Sequence, residues 1–370
     1  MGTITRSFAN NITSGGTFDA TDLTGTIPSS NIADASVTNI TAVPSLVATT
    51  TVASDPPSPD AGQIWYNTTD KVLRAYIQSS TGSWSTGGNL NSARQGIEGA
   101  GTQTAAIGMG GEGGAPGGVL QSLTELYNGT SWTEVNDLNT ARGSGMSLGS
   151  QTSALFADGG PPPAGLSVCE SWNGTSWTEV ADLNSSRVSG GGAGVDNTSG
   201  LVFAGYEATP PQQVIVTESW NGTSWTEVND LNNGRVSGSG AGTQTSALYF
   251  AGYNYSPNVV AFTESWNGTS WTEVGDMNTA RTNTGGHGTD NTSAIVAGGE
   301  IPTNQVTNAE TWNGSSWTEE ADLSAAKQSM GMGGTNTAAV TFGGSDPGGA
   351  RLTATEEFGF SNVTTDLGAS

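Results

Sequence analysis

Hydrophobic positions recur along this chain in short bursts, not in long helical stripes. Within residues 187–232, a glycine-rich alternating stretch (188–195) precedes a compact apolar run, GLVFAGY (200–206). IVTESW (215–220) follows, then Asn221-Gly222, then WTEV (225–228). Alternation at period two and a doubly apolar run bounded by turn residues predict strands. Asn-Gly accepts the positive φ of a tight turn, so the last two segments read as one hairpin. The four segments, here called a, b, c and d, predict a meander with a and b innermost.

The unit repeats. The chain writes ESWNGTSWTEVxDLNxxR, with small variations, five times, and a worn sixth copy precedes them. The anchors are Trp84, Trp132, Trp177, Trp225, Trp271 and Trp317, spaced 48, 45, 48, 46 and 46 residues apart. That period suits a four-stranded propeller blade and is too long for ankyrin, tetratricopeptide or leucine-rich units. The last period begins at Lys327, reaches Phe358 and ends without a Trp-bearing strand d, whereas Trp84 arrives with no strands a and b before it. The strand count therefore predicts an all-β ring of six blades over residues 80–360, with Trp84 completing the blade begun at Lys327.

The glycine pairs after strand b (Gly110-Gly111, Gly159-Gly160, Gly298-Gly299, Gly343-Gly344), an aromatic in strand c and a Trp opening strand d resemble Kelch repeats. Two repeats read as having lost the second glycine, giving Gly205-Tyr206 and Gly252-Tyr253. The resemblance implies a Kelch-like propeller; it implies no one activity, because such propellers serve unrelated functions.

Composition fits this reading. Glycine, 55 of 370 residues, falls mostly where blades would crowd a central axis. Paired aromatics such as Trp172 with Trp177 and Trp266 with Trp271 are expected to fill the space between neighbouring blades. Only ten residues are basic against 33 acidic ones, and six of the ten share one repeat position: Arg94, Arg142, Arg187, Arg235, Arg281 and Lys327. The glutamates of strand c (Glu125, Glu170, Glu218, Glu264, Glu310, Glu356) are their natural partners. With those cations committed to the fold, no phosphate-neutralising surface remains, so nucleic acid is not an expected partner. No run of about 18 apolar residues is present, so no membrane insertion is expected, and MGTITRSFANNITSGG lacks the apolar core of a secretory signal. The single cysteine, Cys169, reads as a small strand residue.

Catalytic groupings are sparse. His287, the only histidine, lies in a glycine-rich inner strand and reads as structural. Galactose oxidase, a Kelch-type enzyme, uses a pair of histidines on copper that this chain cannot supply. The turns before Trp132 to Trp317 read NGTSW or NGSSW and do not match the sialidase Asp-box. No cofactor, metal site or catalytic residue is expected. The N-x-S/T triplets at Asn128, Asn173, Asn221, Asn267 and Asn313 all fall on the c–d turn, where the turn itself calls for Asn-Gly.

The near-copies diverge between strands b and c, at residues 112–123, 161–168, 207–216, 254–262, 300–308 and 345–353. In a propeller these loops emerge on one face with the d–a connections, and would form an irregular surface for a partner. Tyr206, Gln212, Gln213, Tyr253, Asn254 and Tyr255 are the candidate ligand-binding residues, since amides and tyrosine rings suit sugar hydroxyls and sugar faces.

The first 80 residues differ from the array. Residues 1–47 hold too little apolar material for a core of their own and read as an extended segment, either disordered or ordered against other chains. Residues 48–62 read as a Pro-rich linker, 63–79 as a small hairpin turning at 68–71, and 361–370 as a tail. The stretches LTGTIPSSNIADASVTNITAVP (23–44) and PPSPDAGQIWYNTTDKVLRAYI (56–77) are similar to segments of tail fibres and other virion proteins of marine bacteriophages. That similarity implies a homo-oligomeric, trimeric virion protein of the tail fibre or capsid surface. It would bind other virion proteins through residues 1–47 and present its propeller to a host-surface glycan or protein receptor. Two other classes remain open on sequence alone: a polysaccharide-degrading tail component and an intracellular Kelch interaction scaffold.

Overall fold

The computed structural model describes residues 50–79, 81–114, 118–160, 165–208, 211–255 and 258–367; the expected anchor, 1–47, lies outside them. The chain divides into two compact units, one of residues 1–80 with 361–370 and one of residues 81–360.

Among the described residues of the larger unit, six four-stranded antiparallel sheets follow one another. Their strands, in the order a to d, begin with Glu98–Thr102, Ala105–Met109, Thr124–Tyr127 and Trp132–Glu134. The second sheet has Met146–Ser150, Ser153–Ala157, Cys169–Trp172 and Trp177–Val180; the third has Gly191–Asp196, Ser199–Phe203, Thr217–Trp220 and Trp225–Val228. The fourth has Ser239–Thr243, Ser246–Phe250, Thr263–Trp266 and Trp271–Glu273; the fifth has Gly285–Asp290, Ser293–Ala297, Ala309–Trp312 and Trp317–Glu319. The sixth has Gly331–Thr335, Ala338–Phe342 and Thr355–Gly359, and takes its fourth strand, Ser83–Thr86, from the other end of the array. Trp84 there lies opposite Phe358.

Burial explains the composition of each strand. Strand b is buried at its last four positions and is correspondingly apolar, whereas strand d buries its opening Trp and exposes the polar residues after it. The aromatic pairs sit between sheets: Trp220 and Trp225 pack against Met146, Leu148 and Leu155 of the preceding sheet. Each a strand touches the a strand of the next sheet, and the sixth touches the first, so the contacts run in a cycle.

Two sets of hydrogen bonds follow the same cycle. Gly96 donates its N–H to Ser329 O at 2.8 Å, Ser144 to Gly96 O, Ser189 to Ser144 O, Ser237 to Ser189 O, Asn283 to Ser237 O, and Ser329 to Asn283 O, which returns to the start. All six residues have φ between 53° and 57°, the left-handed region that L side chains adopt only at a cost. Farther out, an amide in each a–b turn donates to the strand c carbonyl of the preceding sheet: Gln103 to Phe358, Gln151 to Tyr127, Asn197 to Trp172, Gln244 to Trp220, Asn291 to Trp266 and Asn336 to Trp312.

The repeated basic residues enter the protein interior. Arg94, Arg142, Arg187, Arg235 and Arg281 pair with Glu125, Glu170, Glu218, Glu264 and Glu310 at 2.7 to 2.9 Å, with no side-chain exposure on either side. The second oxygen of each carboxylate accepts from the backbone and side chain of the asparagine three residues before the arginine, as with Asn232 and Glu264 at 2.8 Å for both bonds. Multiple partners on one buried carboxylate offset its desolvation. Lys327 keeps the ion pair, at 3.2 Å from Glu356, but cannot reproduce the guanidinium fork.

Three of the six glycine pairs stand one residue earlier than the sequence expectation, and the other three stand where it placed them. The paired positions directly follow strand b and are Gly110-Gly111, Asp158-Gly159, Ala204-Gly205, Ala251-Gly252, Gly298-Gly299 and Gly343-Gly344. All twelve have positive φ, from 55° to 113°. The second glycine is therefore kept throughout, and it is the first that aspartate or alanine replaces.

In the smaller unit the hairpin Ile64–Asn67 and Val72–Gln78 turns over residues 68–71, and it is widened at both edges. Thr50–Val52, from the expected linker, pairs parallel with Ile64–Asn67; Asn362–Asp366, from the expected tail, pairs antiparallel with Val72–Gln78. Both segments are strands because a two-stranded hairpin alone is marginal in water. Asp55 accepts hydrogen bonds from Trp65, Asn67 and Arg74, and Arg74 above all holds its carboxyl well below the usual range.

Candidate functional site

The b–c segments are more ordered than an irregular loop surface. In the first, third and fifth repeats each folds into a small hairpin, Glu112–Gly113 with Val119–Leu120, Tyr206–Ala208 with Pro211–Gln213, and Glu300–Ile301 with Asn304–Gln305. Tyr253 bridges Val259 and Ser345 bridges Arg351 at the matching place in the fourth and sixth. Each hairpin is also tied to the d–a connection before it, through Arg94 with Gly113, Val188 with Tyr206, Val236 with Tyr253, Thr282 with Glu300 and Gln328 with Ser345. The b–c segments and the d–a connections thus share one face of the larger unit.

That face carries most of the exposed large hydrophobic side chains of the larger unit. Of the five large hydrophobic side chains exposed among the described residues of this unit, Val119, Leu166, Ile215 and Tyr255 belong to b–c segments, and only Val195 does not.

The sequence-predicted residues meet at the seam between the third and fourth repeats. Tyr206 lies opposite Gln213 in the small hairpin. Gln213 then spans the seam: its Nε2 donates to Tyr253 O at 2.7 Å and its Oε1 accepts from Tyr255 N at 3.1 Å. Partial desolvation, then the neighbouring Tyr206 phenol with which it shares a hydrogen bond, raise the Tyr255 phenol above its usual range. Three tyrosines and an amide fixed at both its nitrogen and its oxygen therefore form one cluster, in which the Tyr255 side chain is 62% exposed. Gln212 stands outside it and donates to Glu207 Oε2 at 3.3 Å. Asn254 shapes the turn, its side-chain oxygen accepting from Asn258 N at 3.2 Å.

Aromatic faces bordered by fixed amides can stack on the apolar face of a sugar ring while binding its hydroxyls. The surrounding charge is acidic: Glu112, Glu207, Glu300 and Asp346 lie on this face, and Arg351 is spent on Glu112 at 2.6 Å. Among the described residues, no group of three or more His, Cys, Asp or Glu side chains is placed to hold a metal ion, and no helix is long and apolar enough to cross a membrane.

Sequence reasoning missed a second feature, a narrow central cavity of about 120 Å³ lined by the six-residue hydrogen-bond cycle and the a strands. Glu98 and His287 are its titratable groups. Burial pushes the Glu98 carboxyl up to about 8 against the pull of the Ser147 hydroxyl at 3.3 Å, and burial lowers the His287 imidazole. A neutral imidazole donates through Nδ1 to Gly334 O at 2.7 Å. The available signal was divergence within the template: Glu98 occupies the position held by Met146, Gly191, Ser239, Gly285 and Gly331 in the other repeats.

No protein-family model matches the chain, and no curated protein matches it in sequence.

Proposed function

We propose that this chain is a non-enzymatic bacteriophage virion protein, a fibre or capsid-decorating subunit, whose larger unit is a six-bladed Kelch-like propeller that binds host-surface glycan. The observation that carries the binding role is the cluster of Tyr206, Tyr253 and Tyr255 clasped by Gln213 on the face where the exposed apolar side chains gather. The propeller reading draws on six four-stranded sheets in cyclic contact, with the sixth sheet completed by the strand of Trp84. The virion reading draws on the phage-like stretches at 23–44 and 56–77.

Charge favours a glycan over nucleic acid. Among the described residues, Lys71 is the one basic side chain outside an ion pair, and phosphate recognition needs several.

Immunogold electron microscopy of purified phage particles with antibody against the larger unit, together with mass spectrometry of their proteins, tests the assignment. Labelling of the tail is expected for a fibre and uniform labelling of the head for a decoration subunit. Absence of the chain from particles would overturn the virion reading.

A further inference from the structure

At the seam between the fifth and sixth repeats a glutamine again crosses to the next repeat, as at the tyrosine seam, but its oxygen is left without a donor. Gln305 holds the place of Gln213: it lies opposite Glu300 as Gln213 lies opposite Tyr206, and its Nε2 crosses to the next repeat, donating to Asp346 O at 3.1 Å. The two amides differ at both ends: Gln213 Nε2 donates to the residue directly after Gly252, and Gln305 Nε2 to the second residue after Gly344. Gln213 Oε1 accepts from Tyr255 N, whereas Gln305 Oε1 is buried and has no partner among the described residues.

The sequence supplies the reason. Tyr255 stands three residues after Gly252, and the residue three after Gly344 is Pro347, which has no N–H to give. Leaving a buried acceptor unpaired costs about 1–3 kcal/mol, unless a ligand supplies the donor.

Gln305 lines a cleft of about 690 Å³, together with Glu300, Asn304, Gln328, Asp346 and Pro347 among others, with no basic side chain. That volume falls in the range of small-ligand sites, and carboxylates and amides ranged around it can each bind a hydroxyl. The absence of a cation and the presence of two carboxylates disfavour anionic sugars.

We propose that this cleft is a second saccharide subsite, binding one neutral pyranose, with Gln305 turning its enclosed Oε1 into the cleft to accept from a ring hydroxyl. It rests on the reading of this face as glycan-binding, and lies two repeats from the tyrosine cluster. The test is saturation-transfer NMR of the full chain with methyl glycosides of neutral hexoses and with methyl glucuronide. Neutral glycosides are expected to bind and the glucuronide not. Asn304→Ala, which removes an exposed amide, and Pro347→Ala, which offers the missing N–H, should each weaken binding up to about tenfold, the worth of one hydrogen bond. Tyr253→Ala with Tyr255→Ala should leave cleft binding unchanged. Binding that survives both cleft variants but is lost with the tyrosines would remove this subsite and leave the glycan reading standing. No binding of any neutral glycoside, or stronger binding of the glucuronide, would also refute it.

Discussion

The backbone N–H of Gly96 donates to the carbonyl of Ser329 at 2.8 Å, joining the first repeat to the last. Gln103 adds a bond to Phe358 O, and the Trp132 indole adds one to the Thr355 hydroxyl at 3.0 Å. The sixth sheet, in turn, needs Ser83–Thr86 at its outer edge. A chain beginning at Thr81 should therefore fold with a cooperative melt, while one beginning at Gly87 should lose the packing of the half-buried Trp84 on Phe358, about 1–3 kcal/mol. Equal melting temperatures for the two would contradict the role given to this strand.

The buried pairs are expected to be costly to break singly. Arg235→Met leaves Glu264 charged and enclosed, and should destabilise by about 3–5 kcal/mol. Adding Glu264→Gln should recover part of that loss. Chemical denaturation of the two single variants and the double variant measures the coupling directly.

Two repeats depart from the template at a cost that substitution should recover. The indoles of Trp177, Trp271 and Trp317 each donate to a threonine hydroxyl at the start of the preceding sheet's strand c, namely Thr124, Thr217 and Thr263. Trp84 would look to position 309, which is alanine, and its indole nitrogen is buried without a partner. Ala309→Thr should stabilise by about 1 kcal/mol, the net value of a hydrogen bond. Lys327→Arg should raise the melting temperature as well, by restoring the fork that five other repeats use.

Asp158 makes stability depend on pH. Its buried carboxylate accepts from the backbone N–H groups of Leu166, Ser167 and Arg187, but burial outweighs these bonds and raises it from 3.8 to about 6. The folded state thus holds the proton more tightly than the unfolded state. The stabilisation is complete below the unfolded value and is lost as pH rises to about 6, a swing of roughly 3 kcal/mol for a two-unit shift. The stability of the native chain relative to Asp158→Asn should fall over that interval and be flat above it; a constant difference from pH 3 to pH 7 would show an unshifted carboxyl.

Repetition made much of this legible. Six copies place a Trp, a basic residue and a Glu at fixed offsets, so the edge strand carrying Trp84 could be read from spacing, whereas the pairing of the basic residues with the glutamates is supplied by the structure. The glycine register could not be read that way, because alanine and aspartate at 204, 251 and 158 occupy a left-handed position that composition assigns to glycine. The strands Thr50–Val52 and Asn362–Asp366 have no second copy to compare, and the latter pairs with Val72–Gln78 across nearly the whole chain. The tyrosines were visible as departures from the template. The Gln213 clasp that gathers them was not, since it depends on two hairpins meeting across a seam.

The most direct test of the glycan-binding account is a host cell-surface glycan array probed with the isolated chain and with the Tyr253→Ala, Tyr255→Ala double variant, at matched melting temperature. The account expects the native chain to bind a discrete set of glycans and the variant to lose that binding. Binding of no glycan by the native chain, or an unchanged pattern in the variant, would contradict it.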